Sequence, residues 1–179
     1  MNNVSKKTKD LAKLGILGAI SIVLIALVRV PIIPAVPFLI YDPADVPIMI
    51  ATFAMGPLAG FGLTVAVSVI QGTLMSTDGF YGILMHIIAT GTFVLVAGNI
   101  YKRHKTKKGA IISLLCGVIA WVAVMALANL IITPMFLGMP VSVVVKMLGW
   151  IVLFNLIKSL LNSAITFLVY KRVSGILHK

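Results

Sequence analysis

The run Lys102-Arg-His-Lys-Thr-Lys-Lys-Gly-Ala110-Ile-Ile-Ser-Leu-Leu-Cys-Gly-Val-Ile-Ala-Trp121-Val-Ala-Val-Met-Ala-Leu-Ala-Asn129-Leu-Ile-Ile132 decides the fold. A dense basic cluster (Lys102, Arg103, Lys105, Lys107, Lys108) stands immediately before an apolar stretch, 110–132, that carries no charge. A helix of that length crosses a hydrocarbon core about 30 Å thick. Lysine and arginine at its mouth mark the side that stays inside.

The same pairing recurs on both sides of this run. Lys6, Lys7, Lys9 and Lys13 crowd the start of an apolar stretch at 11–28, and Lys171, Arg172 and Lys179 close the chain. Twelve of the fifteen basic residues sit in these three flanking segments, so the net charge of +11 reads as membrane topology rather than nucleic-acid binding. Hydrophobic residues make up 60% and charged residues 11% of the chain, with no glutamate and only Asp10, Asp42, Asp45 and Asp78 as acids. A chain of 179 residues cannot hide that much apolar surface in one water-bounded core. The fold class expected is all-α: a polytopic membrane protein of about six transmembrane helices, retained from the first helix onward and multi-pass in the cytoplasmic membrane.

Breakers set the expected helix bounds. Helix one covers 11–28 and ends at Arg29, before Pro31, Pro34 and Pro37, whose spacing excludes a helix and predicts an ordered outward-facing loop. Helix two covers 45–55 with Asp45 as its cap, and Gly56-Pro57 separates it from helix three at 57–74. Helix four covers 80–100, helix five 110–132 and helix six 141–170, with Pro134, Gly138 and Pro140 between the last two. Four spans separate the first two basic segments and two separate the last two, so all three share one face and both termini are cytoplasmic. The single Cys116 lies in an apolar stretch and reads as inert packing.

Polar groups inside spans are few, and each one counts. Lys158 lies too deep in helix six to snorkel easily, and no span carries Asp or Glu, so it is expected to lack a membrane-embedded carboxylate. Asn155 stands three residues away on the same face, with Ser159, Asn162 and Thr166. Asn129 on helix five comes to similar depth. Two amides and a lysine suit a flat heterocycle edged with carbonyls and an imide, since amides donate and accept while lysine only donates. His86, Gln71 and Tyr41 are candidates for lining the same space, and Asn162 and Thr166 for bonding helices together. No phosphate-binding loop, nucleophile–base set or metal-ligand cluster appears, so no catalytic residue, metal or cofactor is expected.

The stretch Phe38-Leu-Ile-Tyr-Asp-Pro-Ala-Asp-Val-Pro-Ile-Met-Ile-Ala-Thr-Phe-Ala-Met-Gly-Pro-Leu-Ala-Gly60 resembles the first loop and second helix of the riboflavin-specific S components of energy-coupling factor (ECF) transporters. Gly79-Phe-Tyr-Gly-Ile-Leu-Met-His86, Asn99-Ile-Tyr-Lys102 and Phe154-Asn-Leu-Ile-Lys158 are similar to the same family. The resemblance implies a subunit that holds riboflavin near the outer face, with Asn129, Asn155 and Lys158 on the flavin and Leu39, Tyr41, Asp45, Met85 and His86 around it. It implies as partners a transmembrane T subunit and two cytoplasmic ATPases, met through small residues four apart on helix one, here Gly15 and Ala19. An S component for another vitamin and a ligand-free membrane scaffold are the alternatives.

Overall fold

The computed structural model describes residues 2–75 and 78–177. Six helices follow in order: α1 (Asn2–Leu27), α2 (Asp45–Met55), α3 (Pro57–Leu74), α4 (Gly79–Arg103), α5 (Lys107–Leu137) and α6 (Val141–Leu177). Five of them contain segments long and apolar enough to cross a membrane. The exception is α2, whose 11 residues cover only about 16 Å. The six helices expected are thus present, five long enough to span and one, at the expected 45–55, a short central helix.

The short helix works because the loop before it sinks into the bundle. Val30 and Tyr41 pair as an antiparallel bridge with N···O distances of 3.0 and 2.9 Å. Between them, tight turns close through Val36 N–H to Ile33 and Leu39 N–H to Val36. Ile33 and Val36 bury against Val144, Ile151 and Phe154 of α6. The chain thus reaches α2 already inside the protein, and Asp45 through Phe53 are all buried. Around α2 stand α1, α3, α4 and α6.

Glycine makes the close crossings possible. A Cβ on Gly60 would lie 1.9 Å from Thr52 Oγ1, and one on Gly98 would lie 2.7 Å from Thr52 Cγ2. Both positions let α3 and α4 press onto α2. At the α2–α3 junction Gly56 has φ of 99°, a conformation that favours glycine, and Pro57 then opens α3 where its missing N–H is harmless.

Several helix ends run past their expected bounds, α1 starting at Asn2 and α4 reaching Arg103 among them. α5 continues through Pro134 to Leu137 and stops at left-handed Gly138. A proline one turn from a C-terminus disturbs little beyond it, and Phe136 gains a ring contact with Tyr81 at 5.8 Å. α6 runs 37 residues, about 55 Å, with its first turns packed against the proline-rich loop. Asp45 is not the cap of α2; Ala44 occupies that place, and the carboxylate turns inward.

The ends of the bundle are chemically distinct. Phe53 near the end of α2 packs on Tyr101 and Tyr170, which precede Lys102 and Lys171, with centroids 4.7 and 5.7 Å away. The chain positions of Lys102 and Lys171 therefore share one end, edged by the aromatic side chains expected at an interface. At the other end the Arg29 guanidinium donates to the Met75 carbonyl oxygen. Leu27, Leu74, Ile119, Ile131 and Leu168 point outward along the spans. In lipid that exposure carries no hydrophobic penalty.

Candidate functional site

A cleft of about 960 Å³, counting its open mouth, lies among α3, α4, α5, α6 and the proline-rich loop. Arg29, Asp78 and Gln71 add polar groups to its lining, and Leu39, Met85, Met125, Phe136 and Phe154 supply apolar walls. Its floor is a closed set of charges. Lys158 Nζ donates to Asp42 Oδ2 at 2.9 Å and lies 3.8 Å from Asp45 Oδ2. Asp45 Oδ2 also accepts from Asn162 Nδ2 at 2.9 Å, while its Oδ1 accepts from Thr90 at 2.6 Å and meets His86 Nε2 at 2.9 Å. A carboxylate oxygen only accepts here, so His86 Nε2 carries its hydrogen.

Lys158 therefore has the carboxylates that the sequence reading denies it. The reason is the depth of the loop: Asp42 belongs to no span, yet it is 4% exposed beside a lysine of α6. An ammonium in hydrocarbon needs such a partner, and so does each carboxylate. The Tyr41 hydroxyl donates to Asn162 Oδ1 at 3.1 Å. Burial pushes that phenol's pKa above its ordinary value, Lys158 opposes the shift, and Asp42 and Asp45 add to it, so it remains a neutral donor.

The amides are fixed before any ligand arrives. Asn155 donates to Ile151 O at 2.9 Å and accepts from Trp121 Nε1 at 2.9 Å. Asn129 donates to Met125 O at 2.7 Å and accepts from Thr133 at 2.8 Å. Each bond uses one N–H and one lone pair, and an amide has two of each. Both side chains thus keep a donor and an acceptor in reserve with their orientation set. Thr166 and Asn162 tie α6 to α2 and to the loop, through Met49 Sδ at 3.4 Å and Asp42 O at 3.3 Å.

Of the residues expected at a ligand, Leu39, Met85, His86, Asn129, Asn155 and Lys158 all line the cleft. Tyr41 and Asp45 do not; they lie behind the lining and act on it through Asn162, Lys158 and His86. Asp42 and Trp121 line the cleft without having been expected there. A lone tryptophan in mid-span was the available signal, because a buried indole N–H needs an acceptor. Ser68, His86 and Asp45 fall into one hydrogen-bonded line despite unrelated spacing. Ser68 Oγ also stands 2.6 Å from the Thr64 carbonyl oxygen of its own helix, so the line ties α3 to α4 and α2. Gly15 and Ala19 are far from all of this. They face outward from α1, and a Cβ on Gly15 would meet no atom within 4 Å.

Comparison with known proteins places this architecture. Residues 9–170 match the family model described as the ECF transporter, substrate-specific component. The riboflavin transporter RibU of Staphylococcus aureus (strain TCH60) is 29% identical over 149 residues, covering 79% of this chain and 78% of that protein. The riboflavin transporter FmnP of Bacillus subtilis (strain 168) is 30% identical over 145 residues, covering 74% and 75%. A solved structure of the S component of a bacterial ECF transporter superposes with a TM-score of 0.85 at 29% identity, over 97% of this chain and 99% of that one. Five apolar spans, a deep first loop and a match over most of the length agree: this multi-pass membrane chain belongs to the substrate-specific components of ECF transporters.

Proposed function

We propose that this chain is the riboflavin-binding subunit of an ECF uptake transporter. The observation that carries the reading is the floor of the cleft. Asn129, Asn155 and Lys158 converge there from two helices, and each is oriented by protein partners with hydrogen-bonding capacity left over. A flavin's carbonyl–imide edge needs donors and acceptors side by side, which this set supplies. The methionines and aromatic rings of the walls suit the flat apolar faces of the ring system. The names of the two related transporters support the same ligand.

On this reading Asp42, Asp45 and Tyr41 are positioning residues: they hold the ammonium and the loop that covers it. Both termini face the cytoplasm, and the cleft opens outward. The chain binds vitamin without hydrolysing ATP, and a transmembrane T subunit with two ATPases supplies the work. Gly15 and Ala19 on the exposed face of α1 are the proposed contact, since small residues let helices approach in lipid.

The test is direct. Protein purified in detergent should carry flavin absorbance or quench the fluorescence of added riboflavin with saturable, one-site behaviour. A colourless preparation that fails to quench riboflavin would defeat the reading in favour of another vitamin or a ligand-free scaffold.

A further inference from the structure

Nearly every polar side chain that lines the cleft is matched within the protein: Asn129, Asn155, Lys158, His86 and Ser68 each have a protein partner. Gln71 departs from this pattern. Among the described residues its Oε1 is withdrawn from solvent yet accepts no hydrogen bond. A buried acceptor left unpaired is disfavoured by about 1–3 kcal/mol, so one that persists in a native fold calls for a physical reason.

Its position narrows what the partner can be. Gln71 stands three residues outward of Ser68 on α3, about 4.5 Å along the helix, and Ser68 touches His86 on the floor. The next residue, Gly72, lies so close to α4 that an added Cβ would come within 2.1 Å of Ile83 Cγ1. That contact fixes this turn of α3 against the wall. The unpaired oxygen is therefore held in the lining of the cleft one helical turn along α3 from Ser68, on a different helix from Asn129, Asn155 and Lys158.

An acceptor needs a donor, and an oxidised isoalloxazine ring has only its imide N–H, which the floor amides match. Its remaining polar atoms are acceptors. The other donors on riboflavin are the hydroxyls of its ribityl chain. We propose that Gln71 Oε1 accepts a hydrogen bond from a ribityl hydroxyl and makes the cleft selective for flavins bearing a polyol chain. This inference rests on the riboflavin reading above and adds to it the residue that distinguishes riboflavin from the bare ring.

The experiment compares two ligands on one variant. Lumiflavin has the same ring with a methyl group in place of the ribityl chain. Gln71→Met keeps side-chain length and removes the acceptor. Titrated by fluorescence quenching, Gln71→Met should lose about five- to tenfold in riboflavin affinity. Its lumiflavin affinity should match the parent's, which also shows that the variant is folded. Unfolding of the ligand-free variant should occur at or above the parent's temperature, because an unpaired buried acceptor has gone. Gln71→Leu reports the same ratio should the methionine variant misfold. Equal loss for both flavins, or undiminished riboflavin binding, overturns the assignment of Gln71 alone. A parent protein that binds neither flavin overturns the riboflavin reading itself.

Discussion

Replacing Lys158 by methionine removes the cation from the floor while keeping an apolar stem. Two consequences follow, of different size. A charge-assisted bond from Lys158 to a flavin carbonyl contributes about 1.5–3 kcal/mol, so riboflavin should bind at least about tenfold more weakly. The larger consequence concerns the fold. Asp42 Oδ2 lies 2.9 Å from the ammonium and loses that charged partner, while the carboxylate itself stays buried. Breaking a buried pair from one side destabilises by about 3–5 kcal/mol, because the remaining charge stays buried. Asp45 is better protected, since Thr90, His86 and Asn162 still serve it.

Removing both charges separates the two effects. Asp42→Asn combined with Lys158→Met removes the carboxylate that the single variant strands, so the double variant should be more stable than Lys158→Met alone by about 2 kcal/mol or more. Neither protein regains the ligand donor, so both should bind riboflavin weakly. Denaturation in detergent micelles measures the first quantity, and fluorescence quenching titration the second. Stability effects that simply add across the two positions would refute the pairing of Asp42 with Lys158. Unchanged affinity in the double variant would remove Lys158 from the ligand site.

Asn155→Ala frees the Trp121 indole N–H and removes a floor amide, so it should weaken riboflavin binding and lower stability by about 1–3 kcal/mol; a thermal melt beside the titration checks both. Asn129→Ala strands only the Thr133 hydroxyl, one turn away on the same helix, so its affinity loss should exceed its stability loss in the same two assays. Tyr41→Phe breaks the 3.1 Å bond to Asn162 and should loosen the loop, raising the riboflavin off-rate in stopped-flow displacement with little change in on-rate. Tryptophan at both Gly15 and Ala19 projects from the exposed face of α1, so riboflavin binding to the isolated protein should survive. Uptake and co-purification with the ATPase-bearing module should be lost, and full uptake by that variant would refute the proposed contact.

Much of this was legible because lipid simplifies the code. Basic clusters beside charge-free runs disclose spans, and Gly56-Pro57 discloses the break between α2 and α3, because both follow from backbone and solvation rules with few exceptions. Asn129, Asn155 and Lys158 stood out because polar groups are rare in spans. Asp42 could not be read the same way. Nothing in Tyr41-Asp-Pro-Ala-Asp45 distinguishes a loop that lies on the surface from one that dives between helices. Its depth is decided by residues remote in sequence, Val144 and Ile151 of α6 among them, which bury Ile33 and Val36. The extension of α5 through Pro134 was hidden for a similar reason: its contact with Tyr81 comes from another helix.

The short α2, the deep loop and the buried lysine are one structural solution. Had α2 spanned the membrane by itself, the half of the bundle's centre now held by the loop would be filled by helix, and no cleft could open there. Using only 11 residues for α2 leaves that half to the loop, whose backbone is tolerable at membrane depth only because protein surrounds it. The carboxylates at its inner end then require donors, and Lys158 and His86 approach from α6 and α4. Those same contacts bind the loop to two helices across 116 and 41 residues of chain. A ligand that draws on Lys158 must therefore act on the grip between loop and bundle as well as on its own binding. The Asp42–Lys158 cycle should show this as ligand-dependent coupling. In the parent protein, riboflavin should shift the exposure of the loop backbone to hydrogen exchange, and in the double variant that shift should shrink.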